Sequence, residues 1–294
     1  MSSVVYNVKM FFLNIWKKSI KGTSIETYLA NKTQGKNWQN IFIKIAPAIE
    51  QYTTTDNRLV NRFGINYCLH PYDYDDYVLY YGLDIEPRNE LFDLVKEGMV
   101  IFDIGTNIGH VLLTFASKNK TGKIYGFEPL PNIYERAKKN VSLNNFNNII
   151  LSNVAVADSS EDLVVQLSHS HHSGSSRLAK KDINTSSTTT IKAITLDEFV
   201  HKNNIQQIDF MKIDVEGFEK NVLTGGKQTL QKFKPVMFIE VNDKAQQAQA
   251  FSGKLLIELL ESLHYQVYTT DGELINKETA DYTTHFDIIC KYKQ

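Results

Sequence analysis

From about residue 98 onward, apolar and polar positions fall into alternating blocks. Short runs rich in β-branched and aromatic residues cover Val100 to Ile104, Lys123 to Phe127, Ile149 to Val154, Ile208 to Ile213 and Val236 to Val241. Between them lie segments with apolar residues at helical spacing: Ile108 to Ser117, Pro131 to Leu143, Gly217 to Gln231 and Lys254 to Leu263. This alternation predicts a parallel sheet with helices on both faces. The chain ends differently, because Tyr265 to Thr270 and Phe286 to Tyr292 read as strands joined by a turn-rich stretch with no helix. A strand that returns without a crossover helix is expected to run antiparallel to its neighbour.

The first third is less regular. Val8, Phe11, Phe12, Ile15 and Trp16 recur at helical spacing, flanked by Lys9, Lys17, Lys18 and Lys21. Two readings fit this pattern: a helix docked on the main domain or on a partner subunit, or a helix lying on a membrane surface through residues 4–21. Asn7, Lys9 and Asn14 interrupt the apolar stretch, so it predicts no transmembrane span, and no small-residue cleavage site follows it. The tyrosine-dense stretch from Tyr67 to Tyr81 reads as a packed β-element, with stacking against a sugar ring as the alternative. Residues 168–190 are almost wholly Ser, Thr, His and Lys, which predicts a long polar loop outside any core. The expected organisation is an N-terminal helical extension over residues 1–60 and a main domain over 61–294.

The composition changes the picture little. Among 294 residues, 32 Lys and Arg nearly balance 33 Asp and Glu, so no general attraction to a phosphate backbone exists and no nucleic-acid partner is expected. Cys68 and Cys290 are too few and too far apart to read as a disulfide or zinc framework, which suggests a reducing, cytoplasmic setting.

The chemistry concentrates at predicted strand ends. Asp103-Ile-Gly105-Thr-Asn107-Ile-Gly109 follows an apolar strand and opens a helix, where glycines let a ligand approach the backbone. Dinucleotide cofactors bring a pyrophosphate to such a turn, and Asp103 would repel it. A ligand with an ammonium and no phosphate tolerates it, and S-adenosylmethionine is such a ligand. Nineteen residues after Gly109, Glu128 ends the next strand, where it could accept hydrogen bonds from ribose hydroxyls or serve as a helix N-terminal charge. Asn153 and Ala155 stand where an adenine ring would lie, although small residues also pack cores. Asp214 and Glu216 end the strand that should neighbour the first across the switch point of the sheet. Each could act on a substrate or cap the following helix. His110, after Gly109, could touch cofactor or acceptor, or be packed at a helix start. His169, His171 and His172 suggest metal ligation, a substrate-touching lid or a solvated loop, and no metal is expected.

DIGTNIGH, GFEPLPNIYERAKKNVSLNN, ITLDEF, IDFMKIDVEGFEKNVLTGG and PVMFIEVN, in this order across roughly residues 82–242, resemble the successive motifs of the FkbM family of S-adenosylmethionine-dependent methyltransferases. The resemblance implies a class I methyltransferase fold, a Rossmann-like, doubly wound seven-stranded α/β sheet whose last strand runs antiparallel. It also implies S-adenosylmethionine as cofactor and methylation of a hydroxyl on a sugar, glycan or other small product; methylation of nitrogen on a peptide or amine, or a non-catalytic binding module, are the alternatives. On this reading Asp103, Gly105, Asn107, Gly109, Glu128, Asn153 and Ala155 hold the cofactor. Asp214, Glu240 and His110 are the catalytic candidates, and Glu86, Arg88, His172, Ser176 and Glu216 face the acceptor. Ser176 sits in a short serine-bearing stretch of the kind many members carry, and Glu86 matches a Glu common before the glycine turn. The sequence leaves the oligomeric state open.

Overall fold

The computed structural model describes residues 3–83, 89–166, 177–178, 188–247 and 249–293, with side chains from residue 10 onward apart from those of 166, 177 and 178. The chain forms two compact units, one over Met1–Pro87 and one from Arg88 onward. Where the sequence places the end of the extension near residue 60, the compact unit runs on to Pro87.

The first unit contains α1 (Ser3–Ile20), α2 (Ser24–Thr33), α3 (Ile41–Ile45), the antiparallel hairpin β1 (Arg58–Arg62) and β2 (Ile65–Leu69), and α4 (Tyr74–Tyr81). The hairpin and α4 belong here because of a buried polar lattice. Arg62 is buried and donates to the carbonyls of Ala30, Leu79 and Tyr80, tying β1 to α2 and α4. Glu26, fully buried, accepts from Arg58 Nε at 2.8 Å and from the Tyr52 hydroxyl at 3.0 Å, and Tyr52 in turn meets the Tyr81 hydroxyl at 2.8 Å. A buried carboxylate is tolerable only when paired in this way.

The tyrosine stretch does pack, with Tyr67, Tyr77, Tyr80 and Tyr81 buried, but its second half is a helix and not a β-element. Asp73 caps the N-terminus by accepting from the Asp75 N–H, and Gly82 closes the C-terminus at φ 60°. These two end signals outweigh the β preference of tyrosine. In α1, Ile20 is buried while Phe11, Phe12, Ile15 and Trp16 stay exposed among the described residues. Among the described residues, no helix is long and apolar enough to cross a membrane. Cys290 is buried in the core on the sheet's antiparallel strand.

The second unit begins with α5 (Asn89–Asp93) and is built on a seven-stranded sheet. In chain order, its first half contains β3 (Val100–Ile104), α6 (His110–Lys118), β4 (Lys123–Phe127), α7 (Pro131–Ser142) and β5 (Ile149–Ser152). Short strands β6 (Ala155–Ala157), β7 (Leu163–Gln166), β8 (Arg177–Leu178), β9 (Thr188–Ile191) and β10 (Ala193–Thr195) lie outside the main sheet. They lead to α8 (Leu196–Lys202), β11 (Phe210–Ile213), α9 (Glu219–Thr224), α10 (Lys227–Phe233) and β12 (Val236–Val241), followed by α11 (Asp243–Gln247), α12 (Gly253–Ser262), β13 (Tyr265–Thr269) and β14 (Phe286–Tyr292). The strand order is β13-β14-β12-β11-β3-β4-β5, and only β14 runs against its neighbours. This is the class I methyltransferase sheet that the motifs imply.

The central strands read as unbroken apolar runs because both faces are covered. Phe102, Ile104, Met211, Ile213, Met237 and Ile239 fill one face, and Ile101, Phe210 and Phe238 the other, following the two-residue period of a strand. One expected helix, Gly217 to Gln231, is two. It breaks at Gly225 and Gly226, where a Cβ on Gly225 would stand 2.0 Å from the Ala157 carbonyl oxygen, so β6 passes too close for any side chain.

Candidate functional site

The carboxyl ends of β4, β3, β11 and β12, consecutive in the sheet, carry Glu128, Asp103, Asp214 and Glu240 at or beside the strand ends. Between β3 and β11 the connections leave in opposite directions, which is the switch point where open α/β sheets bind ligands.

The turn after β3 is held on several sides. Gly105 and Thr106 donate their N–H groups to the Phe127 carbonyl at 3.1 and 3.0 Å, and the Thr106 hydroxyl accepts from Phe127 N–H at 3.0 Å. Gly105 has φ +86°, and a Cβ there would lie 1.8 Å from the Asp214 carbonyl oxygen. Only glycine lets β11's exit pass this close. Asn107 is left-handed at φ 51°, aiming its N–H at Glu128 Oε2, 3.0 Å away. Gly109, at φ 90°, starts α6, with His110 as the helix's first residue, half-buried.

Glu128 is buried, its second oxygen accepting the Leu130 N–H at 3.0 Å. Burial pushes its carboxyl up to about 7, against the pull of these two backbone donors. Asp103 is fully buried, and neither of its carboxylate oxygens has a hydrogen-bond donor among the described residues. Burial pushes it up to about 6, opposed by the Lys212 ammonium 3.7 Å away and reinforced by Asp214.

Lys212 ties the site together, and the sequence reading passed over it. It sits opposite Asp103 in the β3–β11 register and is itself buried. Its ammonium donates to the Gly105 carbonyl at 2.8 Å and pairs with Asp214 at 3.0 Å. The available signal was a lysine inside the apolar run Phe-Met-Lys-Ile, since a charge on a buried strand must have partners.

Asp214 is half-buried, and Glu216, at φ 52°, is half-buried too. One oxygen each of Asp214, Glu216 and Glu240 lie within 4.8 Å of one another, so the three side chains converge. Glu219 was also missed. It is fully buried and accepts from the N–H groups of Val215 and Gly217, at 3.3 and 3.1 Å, and from Gln246 Nε2 at 3.2 Å. It thus does for this turn the work that the sequence reading offered to Asp214 or Glu216 as caps.

Two expected cofactor residues are engaged in scaffolding. The Asn153 amide donates to the carbonyls of Glu128 and Pro129, at 2.8 and 3.0 Å, fixing the turn after β4. Ala155 is buried on β6, opposite Ala193 of β10. Glu86, Arg88, His172 and Ser176, together with His169 and His171, lie outside the described residues.

S-adenosylmethionine presents an ammonium, two ribose hydroxyls and a positive sulfonium. The Asp103 carboxylate, without a hydrogen-bond donor among the described residues, could receive that ammonium, and Glu128 could accept from the ribose hydroxyls. The five carboxylates of Asp103, Glu128, Asp214, Glu216 and Glu240 against the ammonium of Lys212 favour a ligand carrying a positive sulfonium.

The model of the methyltransferase FkbM domain matches residues 103–267. The chain belongs to the FkbM methyltransferase domain family. Among its relatives, the hexuronic acid methyltransferase AglP of Haloferax volcanii is 30% identical over 142 residues, covering 48% of this chain and 55% of AglP. The 2-O-methyltransferase NoeI of Sinorhizobium fredii is 25% identical over 182 residues, covering 58% of this chain and 74% of NoeI. A crystal structure of a methyltransferase FkbM from Methylobacillus flagellatus aligns with a TM-score of 0.43 at 14% identity, over 94% of this chain and 60% of that one. The match to AglP thus spans little more than half of that relative's length.

Within this FkbM domain, the position of Glu128 predicts a pH dependence. Hydroxyl donors favour the ionised carboxylate, so a ligand that bonds to Glu128 lowers its pKa from about 7 in the free protein. Affinity for S-adenosylmethionine should therefore rise with pH as the free carboxyl ionises. In Glu128→Gln, that rise should flatten to the part that Asp103, pushed up to about 6, contributes, and affinity should drop by about 1 to 3 kcal/mol. Calorimetric titrations of both proteins at about pH 6 and about pH 7.5, on either side of that ionisation, check this; an equal slope in the two would place Glu128 away from the ribose.

Proposed function

We propose that this chain transfers a methyl group from S-adenosylmethionine to a hydroxyl of a sugar or glycan. The observation that carries this reading is the convergence of Asp103, Glu128 and Asp214 on the switch point, with Lys212 binding the turn to the acid. Relatives that methylate a hexuronic acid and a 2-O position support the choice of acceptor class.

In this reading Asp103 receives the ammonium of the cofactor, Glu128 the ribose hydroxyls, and Gly105 keeps the backbone close enough for both. The bound cofactor supplies an electrophilic methyl on a positive sulfur. What remains for the protein is to align the acceptor and take up its proton. Asp214 is the candidate for that step, supported by its half-buried position after β11 with Glu216 and Glu240 beside it. Lys212 holds the carboxylate in position through its 3.0 Å contact. Glu240 is the second candidate to orient the acceptor, and His110 stands at the mouth of the glycine turn.

Titration with S-adenosylmethionine and NAD tests the cofactor, and transfer of labelled methyl to a panel of hexoses, hexuronates and amines tests the acceptor. Saturable binding of S-adenosylmethionine at micromolar order, none of NAD, and label on a sugar are expected. Tight NAD binding without a response to S-adenosylmethionine overturns the cofactor assignment, and label only on amines overturns the hydroxyl acceptor.

A further inference from the structure

The N-terminal unit carries a cleft of about 270 Å³ that has no part in the cofactor turn. Its lining includes Lys17, Trp38, Lys44, Glu50, Tyr74 and Tyr77. Tyr77 is buried and anchored, its hydroxyl donating to the Pro47 carbonyl at 2.9 Å. Trp38 lies parallel to it, 5.9 Å between centroids and 7° between planes, and nearly parallel to Tyr74 at 6.2 Å and 23°. Yet Trp38 is 43% exposed. An indole held flat by two tyrosines and left open to water is a platform rather than a core residue, because burying it would have gained apolar area.

Around this platform stand charges of both signs. Lys44 and Glu50 are exposed. The Lys17 amine is partly withdrawn from water, and burial lowers its pKa against the attraction of Glu50. An ammonium that has given up part of its hydration gains more from an incoming anion than a fully solvated one.

We infer that this cleft binds a pyranose ring bearing an acidic group, a carboxylate or a phosphate. The C–H face of the ring would lie on Trp38, the anion would meet Lys17 and Lys44, and Glu50 would accept from ring hydroxyls. A purely apolar occupant would leave three charged side chains without use. For its bearing on the acceptor, the inference rests on the glycan reading above; the binding itself does not.

The 294-residue chain is titrated with glucuronic acid, glucose 6-phosphate, glucose, inorganic phosphate and AMP, followed by tryptophan fluorescence and calorimetry. Saturable binding of at least one acidic sugar, ten-fold or more tighter than glucose, is expected. Comparing glucuronic acid with glucose 6-phosphate tells which anion the lysines prefer. Trp38→Ala and Lys44→Met should each weaken that binding ten-fold or more, with S-adenosylmethionine affinity unchanged. Lys44 is exposed, so Lys44→Met decides the matter if Trp38→Ala fails to fold. The inference is overturned by absence of sugar binding, by phosphate or AMP binding as tightly as the sugar, or by wild-type affinity in the folded variants. Loss of S-adenosylmethionine binding with sugar binding intact would instead sink the methyltransferase reading and leave this site standing.

Discussion

Asp214→Asn should lower methyl transfer by ~10² to 10⁴-fold, the range for a lost general base, while S-adenosylmethionine affinity changes by less than about three-fold, under ~1 kcal/mol. The substitution keeps the shape of the side chain and removes its charge. Asn can still accept from the Lys212 ammonium, now 3.0 Å from the carboxylate, so the tether to the turn persists in part. The alternative role, capping of the next helix, predicts a near-silent mutant, because Asn caps about as well as Asp. That alternative is weakened by Glu219, which takes the N–H groups of Val215 and Gly217. Transfer rates with saturating cofactor, set beside titration of the same preparation, separate the two roles. Wild-type turnover would move the proton acceptor to Glu240, whose oxygen lies within 4.8 Å of Asp214's. A matching loss in Glu240→Gln with an unchanged Asp214→Asn would settle that transfer of role.

Much of this site was legible because its parts are strand ends. Buried parallel strands must be apolar on both faces, so Val100–Ile104 and Phe210–Ile213 stand out from the chain around them, and the acids that follow them stand out in turn. The glycine turn was legible for the same physical reason that the structure gives at Gly105, a backbone approach no Cβ would survive. What escaped notice was whatever depended on partners distant in sequence. Lys212 meets the Gly105 carbonyl across 107 residues, and Arg62 meets the Tyr80 carbonyl across 18. Nothing local distinguishes such a cation from a solvated one except the apolarity of its neighbours. Asn153 shows the converse case. Its place at a strand end suggested a ligand contact, whereas its amide spends both donors on the backbone that positions Glu128. The helix at Tyr74–Tyr81 was lost to residue preference, although Asp73 and Gly82 marked its ends.

Lys212→Met should be the most damaging substitution for stability. Methionine matches the stem in volume and removes the charge, so the change isolates electrostatics from packing. It leaves Asp103, fully buried, beside Asp214 with no cation between them. Removing one partner of a buried pair costs about 3 to 5 kcal/mol. The loss depends on pH in a direction that follows from Asp103. Its pKa, about 6 with Lys212 present, rises further without it, so the folded variant holds a proton that the unfolded chain releases above the ordinary carboxylate range. Stability of the variant relative to wild type therefore falls as pH rises through and beyond that value, and recovers in part as pH drops and the carboxyl is neutralised. Urea unfolding at about pH 5 and about pH 8, below and above that ionisation, measures the difference. Lys212→Arg keeps the charge, but its rigid fork does not fit a point contact shared by the Gly105 carbonyl and two acids, and it should recover only part of the loss. If lysine served only to fill space, methionine would be neutral at both pH values. Because the Gly105 carbonyl also loses its donor, the turn that receives the cofactor should loosen, and S-adenosylmethionine affinity should fall by about ten-fold or more, ~1.4 kcal/mol, even under conditions where the variant is fully folded.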